Sequence, residues 1–357
     1  RTMVKQESED LIEGTILNIA SVSCRVDTEV GELECAARRR LTESDGERKK
    51  PFTVGDRVLV ERTGEDEGVV TRVLPRDTHL SRRHPSDPHT EHVIVANVDQ
   101  LLIVASVREP PLSVGIIDRY VISALYGALD PLICINKIDF ADEESEYMDI
   151  VRIYRDLDYP VLLTSAAEGT GVDRVREHLK DKSTVVAGHS GVGKSSLINA
   201  IQPDLELRTA QLGWKGKHCT SSVTLLKLKV GGYVADTPGV REFHPWDVER
   251  HEVQQFYPEI WELSRDCHMP DCTHVHEPDC AVQEALEAGD IPSVRYDSYV
   301  AILESIEHLV EPRETDVDEP ERQVAKKRRR PSRRTRKQSM RQEVEEGLEK
   351  YYRERED

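Results

Sequence analysis

The chain has 357 residues, enough for two or three domains with a sizeable buried core, and carries 49 basic against 67 acidic side chains for a formal net charge of −18. A uniformly acidic body repels nucleic acid, so any RNA binding has to come from local basic patches. No apolar run approaches the roughly 18 residues that span a bilayer, and the opening RTMVKQESED has no apolar signal core, so a soluble, cytoplasmic protein with no membrane partner is expected.

Residues from about Leu11 to Arg76 hold five short alternating segments, GTILNIA, SCRVDT, ELECAAR, DRVLVER and GVVTRVLP, separated by Gly, Asp, Pro or charged turns. Five strands of this spacing predict a small β-barrel of the OB type over residues 1–84. Such barrels bind oligonucleotides, and Arg38 to Arg40 form a basic spot; an arginine run is equally often a plain solvated face.

From about Glu91 the texture changes to apolar strands alternating with amphipathic helices. HVIVANVDQLLIVASV reads as one buried strand, IIDRYVISALYGAL as a helix and DPLICIN as a strand. A helix near Tyr147 to Leu157, the strand PVLLTSA, a helix from Val172 to Lys180 and the strand STVVAG follow. The alternation predicts a parallel sheet with helices on both faces, an α/β domain over residues 85–250, with ligands at the carboxyl ends of the strands.

Each candidate motif falls at such an end. Gly188, His189, Ser190, Gly191, Val192, Gly193, Lys194 and Ser195 fit GxxxxGK[ST], between a β-rich run and the helical KSSLINAI. Glycines let backbone N–H groups wrap phosphates, Lys194 neutralises β/γ charge, the Ser195 hydroxyl suits Mg²⁺, and Ser196 follows in the first helical turn. Asp236 ends the apolar run of YVADTPG, where its carboxylate can hold Mg²⁺ through water and the Gly239 amide can meet a γ-phosphate. Asn136, Lys137 and Asp139 of NKID resemble the guanine-reading element of GTPases. A carboxylate accepting two N–H bonds from guanine rejects adenine, the lysine stem can lie on the base, and Asn136 can brace the loops. Ser165 and Ala166 of TSA sit after the next strand, where a backbone N–H could meet guanine O6.

NKID precedes the phosphate loop by some fifty residues, the reverse of the familiar GTPase order. A circular permutation reconciles them: a parallel sheet gathers these strand ends in one crevice, and joining old termini while cutting elsewhere preserves it. The segment after Asp236 then leads straight into the C-terminal region.

Cys267, Cys272, His274 and Cys280 give C-x4-C-x-H-x5-C, a Cys3His set that closes a tetrahedral Zn²⁺ shell without an open position, hence a structural site; His268 and His276 compete as ligands. Three cysteines in fourteen residues suit a metal in a reducing compartment better than a disulfide framework.

The permuted order, with ANVDQLLIV, DRYV, NKID, GHSGVGKSSLIN, DTPGVREF and the cysteine spacing, resembles the RsgA (YjeQ/YloQ) family of ribosome small-subunit-dependent GTPases as far as about Leu309. The resemblance implies an OB barrel, a permuted GTPase and an α-helical zinc-binding domain (251–312). It also implies docking on the small ribosomal subunit and its rRNA, GTP hydrolysis stimulated by that subunit, and a role late in subunit maturation. The family switch segment appears as GKHCTSS, making Thr220 the second Mg²⁺ hydroxyl with Ser221 in reserve. Val240 stands where Ras-like enzymes place a water-orienting glutamine, so slow intrinsic turnover is expected and His218 is the nearest polar side chain to position water. A nucleotide-gated rRNA-binding module with negligible turnover is the alternative reading, motivated by Val240 and Cys219. A monomer is expected. Residues 313–357 form a charged tail expected to be disordered, with eleven Lys or Arg and no acid between Arg322 and Arg341. That tail is either a solvated segment or an RNA-binding arm whose grip weakens with salt.

Overall fold

The computed structural model describes residues 11–20, 23–37, 52–84, 87–205, 223–236 and 248–310. Two compact units divide near residue 246. His218, Thr220, Gly239, Val240, Arg38 to Arg40 and the basic tail lie outside the described residues, as does the side chain of Asp236.

The first unit opens with a closed barrel of β1 (Leu11–Ile19), β2 (Ser23–Thr28), β3 (Gly31–Ala37), β4 (Arg57–Arg62) and β5 (Glu67–Val73), in the order β1-β2-β3-β5-β4. All five strands coincide with the alternating segments of the sequence. Closure comes from β4 pairing back antiparallel to β1 and from a parallel β3–β5 pairing. Alternation sends Ile16, Cys24, Val26, Leu33, Cys35, Val58, Val60 and Val70 inward, each at most 2% exposed.

The apolar run that reads as one strand between His92 and Val107 is two strands in two sheets. β7 (Asp87–Ala96) pairs antiparallel with β6 (His79–His84), whereas β8 (Gln100–Ser106) joins the large sheet. Asn97, at φ 49°, turns the chain between them. Asn tolerates this left-handed conformation, and with both neighbouring strands apolar no change of period marked the break.

The large sheet contains β8, β9 (Asp130–Asn136), β10 (Val161–Leu163), β11 (Ser183–Ala187), β12 (Thr224–Lys227) and β13 (Tyr233–Asp236), ordered β10-β9-β8-β11-β13-β12. All are parallel except the edge strand β12, which pairs antiparallel with β13. Helices α1 (Val114–Tyr126), α2 (Ser145–Asp156), α3 (Val172–Leu179) and α4 (Lys194–Ile201) supply the crossovers. Every residue of β8 is buried, as a central strand covered on both faces requires. Leu102, Val104, Leu132 and Val186 pack with Val175, Leu179, Leu197 and Ile198 in one cluster between strands and helices.

Chain direction decides where a ligand can sit. From β8 the chain winds outward through β9 and β10, then returns so that β11 lies on the other side of β8 and β13 continues in the opposite direction. Parallel sheets open a crevice at the carboxyl ends of the strands where this reversal occurs. That point lies between Ser106 and Ala187, directly below Gly188.

The second unit carries a 3-10 helix (Arg250–Phe256), α5 (Pro258–Ser264), α6 (Ala281–Ala288) and α7 (Ser293–Val310). Arg295 is 1% exposed and is matched by Glu259: its Nε lies 2.7 Å from Oε1, and its guanidinium stacks 4.4 Å from the Tyr257 ring centroid.

Candidate nucleotide and metal sites

The phosphate loop leaves β11 at Gly188 and enters α4 at Lys194. Gly188 has φ 146°, and a Cβ there would stand 2.1 Å from the Val104 carbonyl oxygen, so only glycine lets the loop cross this close to β8. Gly193, at φ 96°, is equally constrained because a Cβ would meet the Asn136 amide nitrogen at 2.4 Å. Val192 is 2% exposed and plugs the loop into the sheet–helix core. Lys194 curls back over the loop, its Nζ donating to the carbonyls of Gly188 (2.9 Å) and His189 (3.0 Å). His189 is half-buried and Ser190 exposed, while Ser195 and Ser196 occupy the first turn of α4, where the backbone N–H groups point along the helix axis and the helix dipole favours an anion. The Tyr120 hydroxyl is pushed up to about 12 by burial, despite a hydrogen bond with the Gly188 backbone.

Asn136 ties the scattered motifs together. Only 1% exposed, it donates from Nδ2 to the Val192 carbonyl at 2.9 Å. Its Oδ1 accepts from the Thr164 hydroxyl at 3.0 Å and from the Ala166 amide at 3.2 Å. One buried side chain therefore bonds the phosphate loop and the segment after β10 while sitting at the end of β9. Lys137 follows in the left-handed region at φ 62°, turning the chain into a 3-10 turn, Ile138–Phe140, on which Asp139 is exposed. Lys137 Nζ donates to the Glu109 carbonyl at 2.6 Å and lies 5.5 Å from the Phe140 ring centroid.

The TSA amides are all engaged within the protein: Thr164 N–H with the Ile135 carbonyl, Ser165 N–H with that of Thr170, and Ala166 N–H with Asn136. The Ser165 hydroxyl, fully buried, accepts from the Glu168 amide at 3.2 Å and so shapes the loop from within. Asp236 ends β13 opposite Val186 of β11, one strand from the phosphate loop.

Cys267, Cys272, His274 and Cys280 place one sulfur or imidazole nitrogen each within 4.8 Å of all the others. His274 Nδ1 lies 3.5 Å from the sulfurs of Cys267 and Cys280, which are 3.9 Å apart. The outer nitrogen, Nε2, pairs with Gln254 Oε1 at 2.7 Å. Since an amide oxygen only accepts, Nε2 carries the proton and the Nδ1 lone pair faces the sulfurs of Cys267 and Cys280, the tautomer a metal ligand needs. Backbone is pinned as well: the Tyr296 hydroxyl and Gln283 donate to the His274 carbonyl, and Tyr299 to that of Thr273. Glu277 accepts from Thr273, Val275 and His276; against burial, which acts in the other direction, these bonds bring its carboxyl down to about 2. Burial above all pushes the Cys272 thiol up to about 12, with Cys280 and Cys267 adding to it, so without a cation this thiol stays protonated. His268 and His276 do not join the cluster. Gln254 was not visible in the motif because it lies twenty residues before His274, on a separate helix.

A phosphate loop at the sheet's reversal point, bonded to an NKxD turn that precedes it in sequence, defines a P-loop GTPase with circularly permuted motifs. Residues 73–246 match the RsgA GTPase family model. Over 309 residues the chain is 39% identical to the small ribosomal subunit biogenesis GTPase RsgA of Chlorobaculum tepidum, covering 84% of this chain and 99% of that protein. RsgA 2 of Bacteroides thetaiotaomicron is 35% identical, over 83% of this chain and 97% of its own. Among solved structures, YjeQ from Thermotoga maritima superposes with TM-score 0.66 at 35% identity, covering 83% of this chain and 98% of that one. YloQ, a circularly permuted GTPase, gives TM-score 0.66 at 31% identity over 86% and 99%. The chain belongs to the RsgA GTPase family.

Proposed function

We propose that this GTPase binds the small ribosomal subunit through its rRNA and couples GTP hydrolysis to late maturation of that subunit. The observation that carries the nucleotide part of the reading is the Asn136 network, which joins the base-reading turn, the phosphate loop and the TSA segment into one mouth; the subunit part rests on the ribosomal relatives. In this reading Asp139 accepts the guanine N–H groups, the Lys137 stem covers the base, and the amides from Gly188 to Ser196 together with Lys194 hold the phosphates. Ser165 and Ala166 shape the base pocket. Ser195, Asp236 and Thr220 would hold a Mg²⁺ ion, which would supply neutralisation of charge on the β- and γ-phosphates. Gly239 meets the γ-phosphate, and His218 positions water on the docked subunit.

The Cys3His cluster holds one structural Zn²⁺, the assignment its sulfur-rich, closed donor set supports. The protein acts as a cytoplasmic monomer, divided at 1–84, 85–250, 251–312 and 313–357; none of the described helices is long and apolar enough to cross a membrane. The barrel and the basic run from Arg322 to Arg341 supply rRNA contacts.

GTP turnover measured with and without small subunits tests this directly. Stimulation of about tenfold or more is expected from completing a transition-state constellation in trans. Tight binding without stimulation would overturn the coupling, and preference for ATP over GTP would overturn the base assignment. Elemental analysis giving one zinc per chain checks the metal.

A further inference from the structure

The segment joining β8 to α1, residues 107–113, belongs to none of the nucleotide motifs, yet it touches two of them. Its start is fixed by the Val107 amide donating to the Asn136 carbonyl at 3.1 Å, and the Ser106 hydroxyl donates to the Pro110 carbonyl at 2.8 Å, closing the loop. Facing the phosphate loop, Pro110 Cδ and the Glu109 carbonyl lie 3.7 and 3.9 Å from where a Gly191 Cβ would be. Facing the base-reading turn, the same Glu109 carbonyl receives Lys137 Nζ at 2.6 Å.

Its neighbour Arg108 reaches the other end of that turn. Arg108 Nε and Nη2 grip the two oxygens of Glu146 at 2.9 and 2.7 Å, and Nη2 also meets Asp142 at 2.6 Å. Glu146 lies in the first turn of α2, where Oε1 also accepts the backbone N–H groups of Asp142 (2.7 Å) and Glu143 (3.2 Å). Two consecutive residues, 108 and 109, thus hold residues 137 and 142, and Asp139 lies on the short span between these anchors. An exposed ion pair alone contributes little, but a two-pronged guanidinium contact on a carboxylate already fixed by two amides is ordered before the guanidinium arrives.

We propose that Arg108 and Glu146 are positioning residues for guanine recognition, a strut that sets the Asp139 carboxylate relative to the phosphate loop. This rests on the reading of Asp139 as the base reader. A carboxylate out of place by a fraction of an ångström loses its two-point contact first, so the strut governs both how slowly nucleotide leaves and how strongly the guanine 2-amino group is preferred.

The test uses the full chain with Mg²⁺, following release of a fluorescent GDP by stopped flow and comparing the affinities of GDP and IDP, which lacks the 2-amino group. Arg108→Gln and Glu146→Gln are each expected to speed release about fivefold and to lower the GDP-over-IDP preference about threefold or more. The double variant should exceed neither single by more than about twofold, since both break one contact. Arg152→Gln, which breaks the Arg152–Asp149 pair elsewhere on α2, should change neither quantity. Release and GDP/IDP preference both unchanged in Arg108→Gln and Glu146→Gln, while Asp139→Ala loses the preference, would overturn the strut alone. Preference retained in Asp139→Ala would overturn the base-reading assignment with it.

Discussion

Asn136→Ala isolates the link between the two halves of the nucleotide site. The native side chain is buried and makes three hydrogen bonds, to the Val192 carbonyl, the Thr164 hydroxyl and the Ala166 amide. At about 1 kcal/mol net for each bond, truncation removes about 3 kcal/mol of organisation. If all of that falls on the nucleotide-competent arrangement, affinity drops roughly a hundredfold. Asn136→Asp sharpens the argument. It keeps an acceptor for Thr164 and Ala166 but turns a carboxylate oxygen toward the Val192 carbonyl, so it should bind GDP no better than the alanine variant despite its nearly identical volume. Titration with a fluorescent GDP, beside urea unfolding to separate global stability, reads both effects. Affinity within about threefold of wild type in Asn136→Ala, well under the 1.4 kcal/mol of a tenfold change, would refute the reasoning.

Gly193→Ala should abolish nucleotide binding, because the methyl group meets the Asn136 amide at 2.4 Å from a φ of 96°; isothermal titration with GDP checks this. Arg295→Ala removes the partner of a mostly buried Glu259 carboxylate and should lower unfolding free energy by about 3 kcal/mol in denaturant, with Arg295→Lys recovering only part because the fork and the stacking on Tyr257 are lost. Glu277 has its folded pKa lowered to about 2 from an ordinary 4.5, so the stability it contributes is complete above about pH 4.5 and is lost as pH falls toward 2. Glu277→Gln should therefore melt lower than wild type at pH 7, and the gap should narrow steadily below pH 4.5 in calorimetric scans.

The parts of this molecule that were legible in its sequence are those encoded within a few consecutive residues. Barrel strands announce themselves by alternation such as Cys24, Val26 against Arg25, Asp27, and the phosphate loop by glycines whose φ values no other residue adopts readily. What stayed hidden is built by juxtaposition. β12 is four residues, too short to show a period, and exists because β13 offers it a free edge. Gln254 and Arg108 carry no motif: each gains its meaning from a partner 20 or 38 residues away that the fold brings within hydrogen-bonding reach. The run from His92 to Val107 misled for a related reason, since Val93 to Ala96 and the fully buried β8 are both apolar without clear alternation, leaving Asn97 and Asp99 to mark the bend between them.

The outer strands of the large sheet have a further consequence. β10 is three residues long, and β12, at the opposite margin, is four residues long and lies against the barrel, where Asn18 of β1 donates to Thr224 and Asp27 of β2 takes Lys227. Unsatisfied strand margins are where folded chains zip onto one another and precipitate. Keeping one margin short and shielding the other leaves this sheet, among the described residues, no long bare edge onto which a further copy could add a strand.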